Sequence, residues 1–471
     1  MPLILSGNVA SATADAGYSV ANSCRFNFAD SAYLSKTFDA AGNQKTFTLS
    51  TWIKRGRLGD LVMLYGGAAA DGIYFTSGDQ LLVICGSGSD DRRISTMLFR
   101  DTSAWYHIVQ KFDTTQGTAA DRYTLYVNGT EAATSVVGGK NEITQDLDIA
   151  LFYNAASYIG FDGSADYFDG YMAETVHIDG TALAASSFGE FNEDSPNIWQ
   201  PKDVSGLTFG TNGFYLDFED SGDLGDDESG NTNDFAENNI AATDQSTDTP
   251  TLNYPTLNIL QPGLSNLTIS EGNLNMVSGD ANYRSLPATM GATAGKWYAE
   301  FKAVSGFDST DKNAGIYRAD NTFVATTGLG NFTTGTTWSY GAQGGVRTNN
   351  GENDSEATFT DGDIIQVAMD LDNLKLYFGK NNTWINSGDP ESGATGTGAY
   401  TIINAAPKEF YHFAAATISS GGAKLWSCNF GSPSYANSSD AADADGSGAF
   451  EYAPPSGYFA MNSKNLGAYG G

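Results

Sequence analysis

The sequence predicts an all-β protein made of two tandem antiparallel β-sandwich domains. Apolar residues recur with period two in short runs, 55 glycines and 12 prolines punctuate those runs, and no stretch shows helical periodicity of useful length. A chain of 471 residues is also too long for one core. With 41% hydrophobic and 17% charged residues it has enough apolar material to fold, so its net charge of −31 does not signal disorder.

Residues 1–22 are small and polar apart from Leu3 to Leu5, and read as an N-terminal arm that orders only by docking on a neighbour. The alternation then becomes regular. In FTLSTWIKRG, Phe47, Leu49, Thr51 and Ile53 share one face and Trp52 takes the other. WYHIVQKFD follows at Trp105, and RYTLYVNG then alternates Tyr123, Leu125 and Val127 before Asn128-Gly129, a two-residue hairpin signal because both positions need positive φ. YIGFDGSADYFDGYMAETVHIDGTAL runs from Tyr158 to Leu183, and YLDFED leads into an acidic, glycine-rich stretch. Residues 241–267 contain three prolines between Ala241 and Gly263 and little periodicity, and are expected as a linker. The first domain is therefore bounded at 23–240 and the second at 268–466, with a C-terminal extension ending in FEYAPPSGYFAMNSKNL and a tail at 467–471.

Within the second domain, DGDIIQVAMDLDNLKLYFGKNNTW (Asp361–Trp384) reads as two strands around a tight turn. Ile365, Val367, Met369 and Leu371 fall on one face, opposite Ile364, Gln366, Ala368 and Asp370, and Leu374, Leu376 and Phe378 alternate with Lys375 and Tyr377. This hairpin, with KWYAEFKAV, NAGIYRAD, HFAAATIS and AKLWSCNFG, resembles SPRY domains, which implies a β-sandwich that binds partners through its loops and has no catalytic centre. The ordered pieces of residues 23–200 resemble the laminin-G and concanavalin-A-like jelly rolls. Both resemblances together, with DESGNTNDF and PPSGYFAMN, look like structural proteins of tailed bacteriophage virions. That likeness implies a tail, fibre or particle-surface component, partnered by other virion proteins and by a host cell-surface glycan or protein, and assembled as a homo-oligomer, with a trimer favoured.

The charge balance of 24 basic against 55 acidic residues disfavours nucleic acid and anionic membranes, whose phosphates repel such a surface. No window approaches the ~18 apolar residues of a membrane-inserted helix. MPLILSGNVA is too short and lacks the basic start of a signal peptide, so the expected route is synthesis in the host cytoplasm followed by residence on the virion. Cys24, Cys85 and Cys428 lie far apart and are expected as buried free thiols.

No nucleophile, base and metal-ligand constellation stands out, and His107, His177 and His412 each sit inside alternating strands. The expected protein is not an enzyme. A polysaccharide-degrading jelly-roll enzyme is the alternative, as is a decoration or scaffold protein without a host ligand. Glycoside hydrolysis needs two carboxylates across the sugar, and Asp217 with Glu219 share a face of YLDFED while Glu190, Glu193 and Asp194 cluster nearby. No cofactor is required. Calcium could be held by oxygen-rich loops, with Asp162, Asp166 and Asp169 in one and Asp223, Asp226 and Asp227 in another; a third, weaker copy has Asp440, Asp443 and Asp445. For ligand binding, aromatic and arginine residues near glycine- and asparagine-rich turns are the candidates: Tyr317, Arg318, Trp338, Tyr340, Arg347 and Trp384.

Overall fold

The computed structural model describes residues 17–67, 71–86, 90–261, 266–279, 282–307, 313–319, 328–329, 336–348, 351–353, 355–403, 409–418 and 423–470. The chain is nearly all β and forms two compact units, the first ending at Leu252 and the second starting at Asn253.

The first unit is built on two eight-stranded antiparallel sheets. One has at its centre the ten-residue strands Thr46–Arg55 and Gly170–Asp179, paired with each other and flanked by Tyr106–Asp113 and Ser23–Phe26. The other runs through Asp91–Ser95, Leu81–Cys85, Gly72–Phe75, Val62–Gly67, Ala156–Ile159 and Tyr33–Thr37. Alternation places the side chains as period two requires. Phe47, Leu49 and Ile53 enter a core shared with Ile73, Phe75 and Val83 of the other sheet. Trp52 points the opposite way, into a second core with Trp105, Phe188, Trp199 and Phe209. The Thr46–Arg55 sheet is thus covered on both faces, and every residue of that strand after Thr46 is buried.

The hairpin expected at Asn128-Gly129 forms, with φ of 48° and 76° and Val127 opposite Thr130. Glycine is required there for a second reason. A Cβ on Gly129 would lie 2.2 Å from the Trp199 ring.

In the second unit, a nine-stranded sheet centres on Lys296–Ser305 and Ile364–Asp370, and a six-stranded sheet on Tyr411–Thr417 and Asn313–Arg318. Ile365, Val367, Met369, Leu376 and Phe378 of the Asp361–Trp384 hairpin face a core with Trp297, Phe301, Ile316 and Phe413. Its acidic turn is tied by Asp370, whose carboxylate accepts from Asn373 N and Nδ2 and pairs with Lys296 at 3.0 Å. The outer face of this sheet carries Tyr298, Glu300 and Asn429, covered by the chain after Phe430: Glu451 N and Tyr452 N both donate to Glu300, and Phe450 meets Tyr298 edge-on.

The boundary between the units falls inside the expected linker, and parts of the expected linker, tail and arm pack into the units. Residues 241–261 are not a free tether: Gln245–Ser246 pairs with Ser23–Phe26, Asp248 is buried against Lys54, and Tyr254 and Leu257 are buried in the second unit. Prolines and weak periodicity marked irregular backbone, yet single apolar and charged side chains suffice to fasten it. The expected tail begins inside a short helix, Ser463–Tyr469, capped by Asn462, which accepts from Asn465 N. Of the arm, residues 1–16 lie outside the described residues, while Val20 is buried in the outer core of the first unit. All three cysteines are buried, and none is in a disulfide.

Covering a sheet on both faces also buries carboxyls. Glu174 sits at a bulge between Ala173 and Val176 with φ of 49°, and Tyr215 OH donates to it at 2.9 Å. Burial pushes its carboxyl up to about 8, and the charges of Asp217 and Glu219 add to that. Burial likewise raises Glu300 to about 7 against three donors that pull it down, the amides of Glu451 and Tyr452 and Tyr298 OH.

Two tests follow from these contacts. Gly129→Ala is expected to lower stability by about 2 kcal/mol or more, from left-handed strain plus overpacking on Trp199; an unchanged thermal midpoint would show that the ring can move aside. The raised pKa of Glu174 means that the fold keeps a proton that the unfolded chain releases. Its stabilisation is complete below the ordinary value of 4.5 and fades as pH rises through about 8. Glu174→Gln should therefore flatten the fall in unfolding free energy, read from urea titrations over that range, by an amount on the order of a few kcal/mol. A wild-type slope in the variant would assign the titration elsewhere.

Candidate functional site

Of the six residues expected to bind ligand, the structure brings one to an open cleft. Tyr317, Trp338 and Tyr340 are core residues. Trp338 Nε1 donates to Thr401 O and Tyr340 OH to Ala357 O, so both rings are spent on packing with their polar tips satisfied. Arg318 is buried and donates to Ile403 O. Arg347 is half-buried on the short strand Val346–Thr348, opposite Ser339. Glycine- and asparagine-rich flanks suggested loops for these residues, but the strands extend through them.

Trp384 is different because of the turn before it. Asn381 and Asn382 both have positive φ, 47° and 63°, and join Lys380 to Thr383 as a two-residue hairpin turn. This sets Trp384 across from Gly379, where its ring lies against a position without a side chain: a Cβ on Gly379 would be 3.1 Å from Trp384 Cε3. Beside the ring opens a cleft of about 390 Å³ lined by Glu356, Ala357, Lys380, Asn381, Thr383, Trp384 and Ile385.

The walls of the cleft are held by hydrogen bonds. Glu356 accepts from Tyr400 OH at 3.2 Å and from Asn386 N at 3.2 Å. Lys380 Nζ donates to Thr358 O at 2.8 Å and pairs with Asp363 at 3.1 Å, and Asn381 Nδ2 donates to the same carboxylate at 2.6 Å. The amide of Asn381 bonds Ile364 O, and its side-chain oxygen accepts from Ile364 N. Because Asp363 offsets Lys380, Glu356 leaves the cleft acidic. Burial pushes the Tyr400 and Tyr340 hydroxyls up, and the Glu356 charge raises them further. An aromatic wall beside fixed carboxylate, amide and ammonium groups can stack one face of a sugar and bond its hydroxyl rim. Glu356 and Lys380 were not expected at this site. The Asn-Asn turn was the available signal for Asn381, but only the tertiary fold brings residues 355–359 alongside it.

The acidic loops do not converge. Among the described residues no three of His, Cys, Asp and Glu come together in an arrangement that could hold a metal ion. Most of these carboxylates accept backbone amides, from their own loops or from neighbouring segments. Asp162 accepts from the amides of Ser164, Ala165 and Asp166. Asp169 is buried and accepts from Phe28 N, and Asp223 accepts from Gly225 N. Asp227 takes the amides of Tyr215, Ser229 and Asn233, which makes it the organiser of the DESGNTND loop, and Asp226 is raised by burial and by Asp234 and Asp223. Asp443 is similarly occupied by Asp445 N, Ser447 N, Ala460 N and Asn465 Nδ2. Loop closure by Asp–amide bonds, common in turns, gives the same composition as a calcium loop.

Nor do Asp217 and Glu219 share a strand face. The strand Phe214–Leu216 ends before them, Phe218 is left-handed at φ 62°, and Asp217 accepts from Glu219 N in a turn. The histidines are interior groups. Trp199 Nε1 donates to His107 Nδ1 at 2.8 Å, its Nε2 meets Ser50 Oγ at 2.9 Å, and burial lowers it to about 3. His177 and His412 bond the carbonyls of Asn212 and Ala288. Among the described residues no helix is long and apolar enough to cross a membrane.

Residues 29–186 match the Laminin_G_3 family model, the Concanavalin A-like lectin/glucanases superfamily. No curated protein matches the chain. Among solved structures, the SPRY domain of human HERC1 is 19% identical, with 36% of this chain and 96% of that chain covered and a TM-score of 0.29. Stonustoxin is 17% identical over 37% of this chain and 27% of its own, at a TM-score of 0.27. A proposed carbohydrate binding protein from Bacteroides ovatus is 18% identical over 47% of this chain and 59% of its own, at 0.33. The first unit is thus similar to concanavalin-A-like jelly rolls over residues 29–186.

Proposed function

We propose that this protein is a non-enzymatic recognition protein that binds a surface glycan and is carried on a bacteriophage particle as a tail-fibre or particle-surface component. The observation that carries the binding reading is the Trp384 cleft, where an aromatic ring stands beside Glu356, Asn381 and the Asp363-paired Lys380. Its acidity and the net charge of −31 favour neutral or amine-bearing sugars over sulfated or uronic ones. The lectin and glucanase superfamily matched by the first unit supports a carbohydrate ligand. Placement on a virion is supported by the order of blocks along the chain, and many copies on one particle would turn a modest single-site affinity into firm attachment.

Trp384→Ala is expected to weaken binding of the full chain to neutral glycans on an array by about tenfold, the loss of one aromatic stacking contact, with the thermal midpoint little changed. Equal binding by both proteins would remove the cleft from the reading. Incubation of wild-type protein with a bound polysaccharide should release no oligosaccharide; released fragments would make the protein a polysaccharide-degrading enzyme. Proteomics of purified particles should find the chain at structural stoichiometry, and its absence there would refute the virion assignment.

A further inference from the structure

The first unit holds a lysine and an aspartate from distant parts of the chain in an arrangement suited to condensation. Lys54 Nζ lies 2.6 Å from Asp248 Oδ2, with the two side chains 1% and 2% exposed. The other carboxylate oxygen accepts the Trp105 indole N–H at 3.0 Å. The Tyr171 ring lies 5.8 Å from Nζ, and its centroid is 6.2 Å from that of Trp105. The backbone around Asp248 is fixed as well, since its carbonyl accepts from Ser23 Oγ at 2.7 Å and its amide donates to Ser246 Oγ at 3.1 Å.

We infer that Lys54 and Asp248 form an intramolecular isopeptide bond. A buried ammonium–carboxylate pair has lost the hydration of both ions, so transfer of a proton from Nζ to Oδ2 yields a neutral amine beside a carboxylic acid. Burial lowers the proton affinity of Lys54 in the same direction, opposed by the charges of Asp248 and Asp101. The Nζ lone pair then attacks Cγ, and the oxygen that gains charge is Oδ1, already held by the indole N–H. Loss of Oδ2 as water, with a second proton from Nζ, leaves an amide. One N–C bond forms, one C–O bond breaks, one water is released, and nothing is oxidised or reduced. Fixed proximity supplies what a bimolecular condensation in water lacks, and the product places no charge in the interior.

The position gives the bond a mechanical use. Asp248 follows Gln245–Ser246, a strand of only two residues, just before the first unit ends at Leu252. Tension applied downstream would peel that strand from Ser23–Phe26 first. A bond to Lys54 passes the load to the ten-residue central strand Thr46–Arg55.

Intact mass spectrometry of the full chain under denaturing conditions tests this. The expected mass is one water below that of the sequence, and a protease digest should contain a branched peptide joining Lys54 to Asp248. Lys54→Arg, which keeps the charge but cannot condense, should show the full mass. Trp105→Phe should slow the appearance of the lighter species in freshly made protein by roughly tenfold or more. A wild-type mass that stays at the sequence value through prolonged incubation at neutral pH overturns the inference, as does a water loss that maps elsewhere or survives in Lys54→Arg. An unchanged rate in Trp105→Phe would remove the indole from the mechanism.

Discussion

A sheet covered on both faces is the constraint from which most of this protein follows. In each unit the central strands are covered on both faces along most of their length: Thr46–Arg55 and Gly170–Asp179 in the first, Ile364–Asp370 and residues 297–301 of Lys296–Ser305 in the second. Period-two strands still alternate, so the residues that a one-sided sheet would show to water must be buried. In the first unit this face takes Trp52, Lys54, His107 and Glu174, and in the second Tyr298, Glu300 and Gln366. Each polar group among them then needs a partner, because an unpaired one costs more than the fold can spare.

The partners come from segments that look structureless in the sequence. Asp248 meets Lys54, Asp244 meets Arg25, and the amides of Glu451 and Tyr452 meet Glu300. Apart from the two-residue pairing of Gln245–Ser246 with Ser23–Phe26, these irregular stretches are fastened by a few polar contacts with the sheet. Such pairs add modest net stability, since desolvation offsets most of the attraction, but breaking one strands a charge in the interior. They therefore specify where each covering segment sits more than they strengthen the whole. The same economy governs the acidic loops, where Asp162 and Asp227 accept the amides of their own turns.

The cleft beside Trp384 lies at the end of a hairpin whose inner face is core. A two-residue Asn-Asn turn and a glycine across the ladder decide that this tryptophan is left at the edge, whereas Trp338, one sheet away, is enclosed. Both residues are tryptophans near polar turns in the sequence. The difference is whether another layer covers the strand end.

The sequence by itself determined the nearly all-β class and the alternating strands, because alternation is a local property. Phe47, Leu49 and Ile53 against Trp52, the Asn128-Gly129 turn, and the inward row Ile365, Val367 and Met369 are all legible from spacing. Only the tertiary structure decided which faces were covered twice. That question turns on contacts across more than a hundred residues, such as Lys54 with Asp248, and no local pattern encodes them. For the same reason five of the six expected binding residues lie outside the cleft, Glu356 and Lys380 joined Trp384 unannounced, and the aspartate clusters resolved into turn closures. Composition identifies which groups are available; burial and orientation, set by the covering segments, decide what they do.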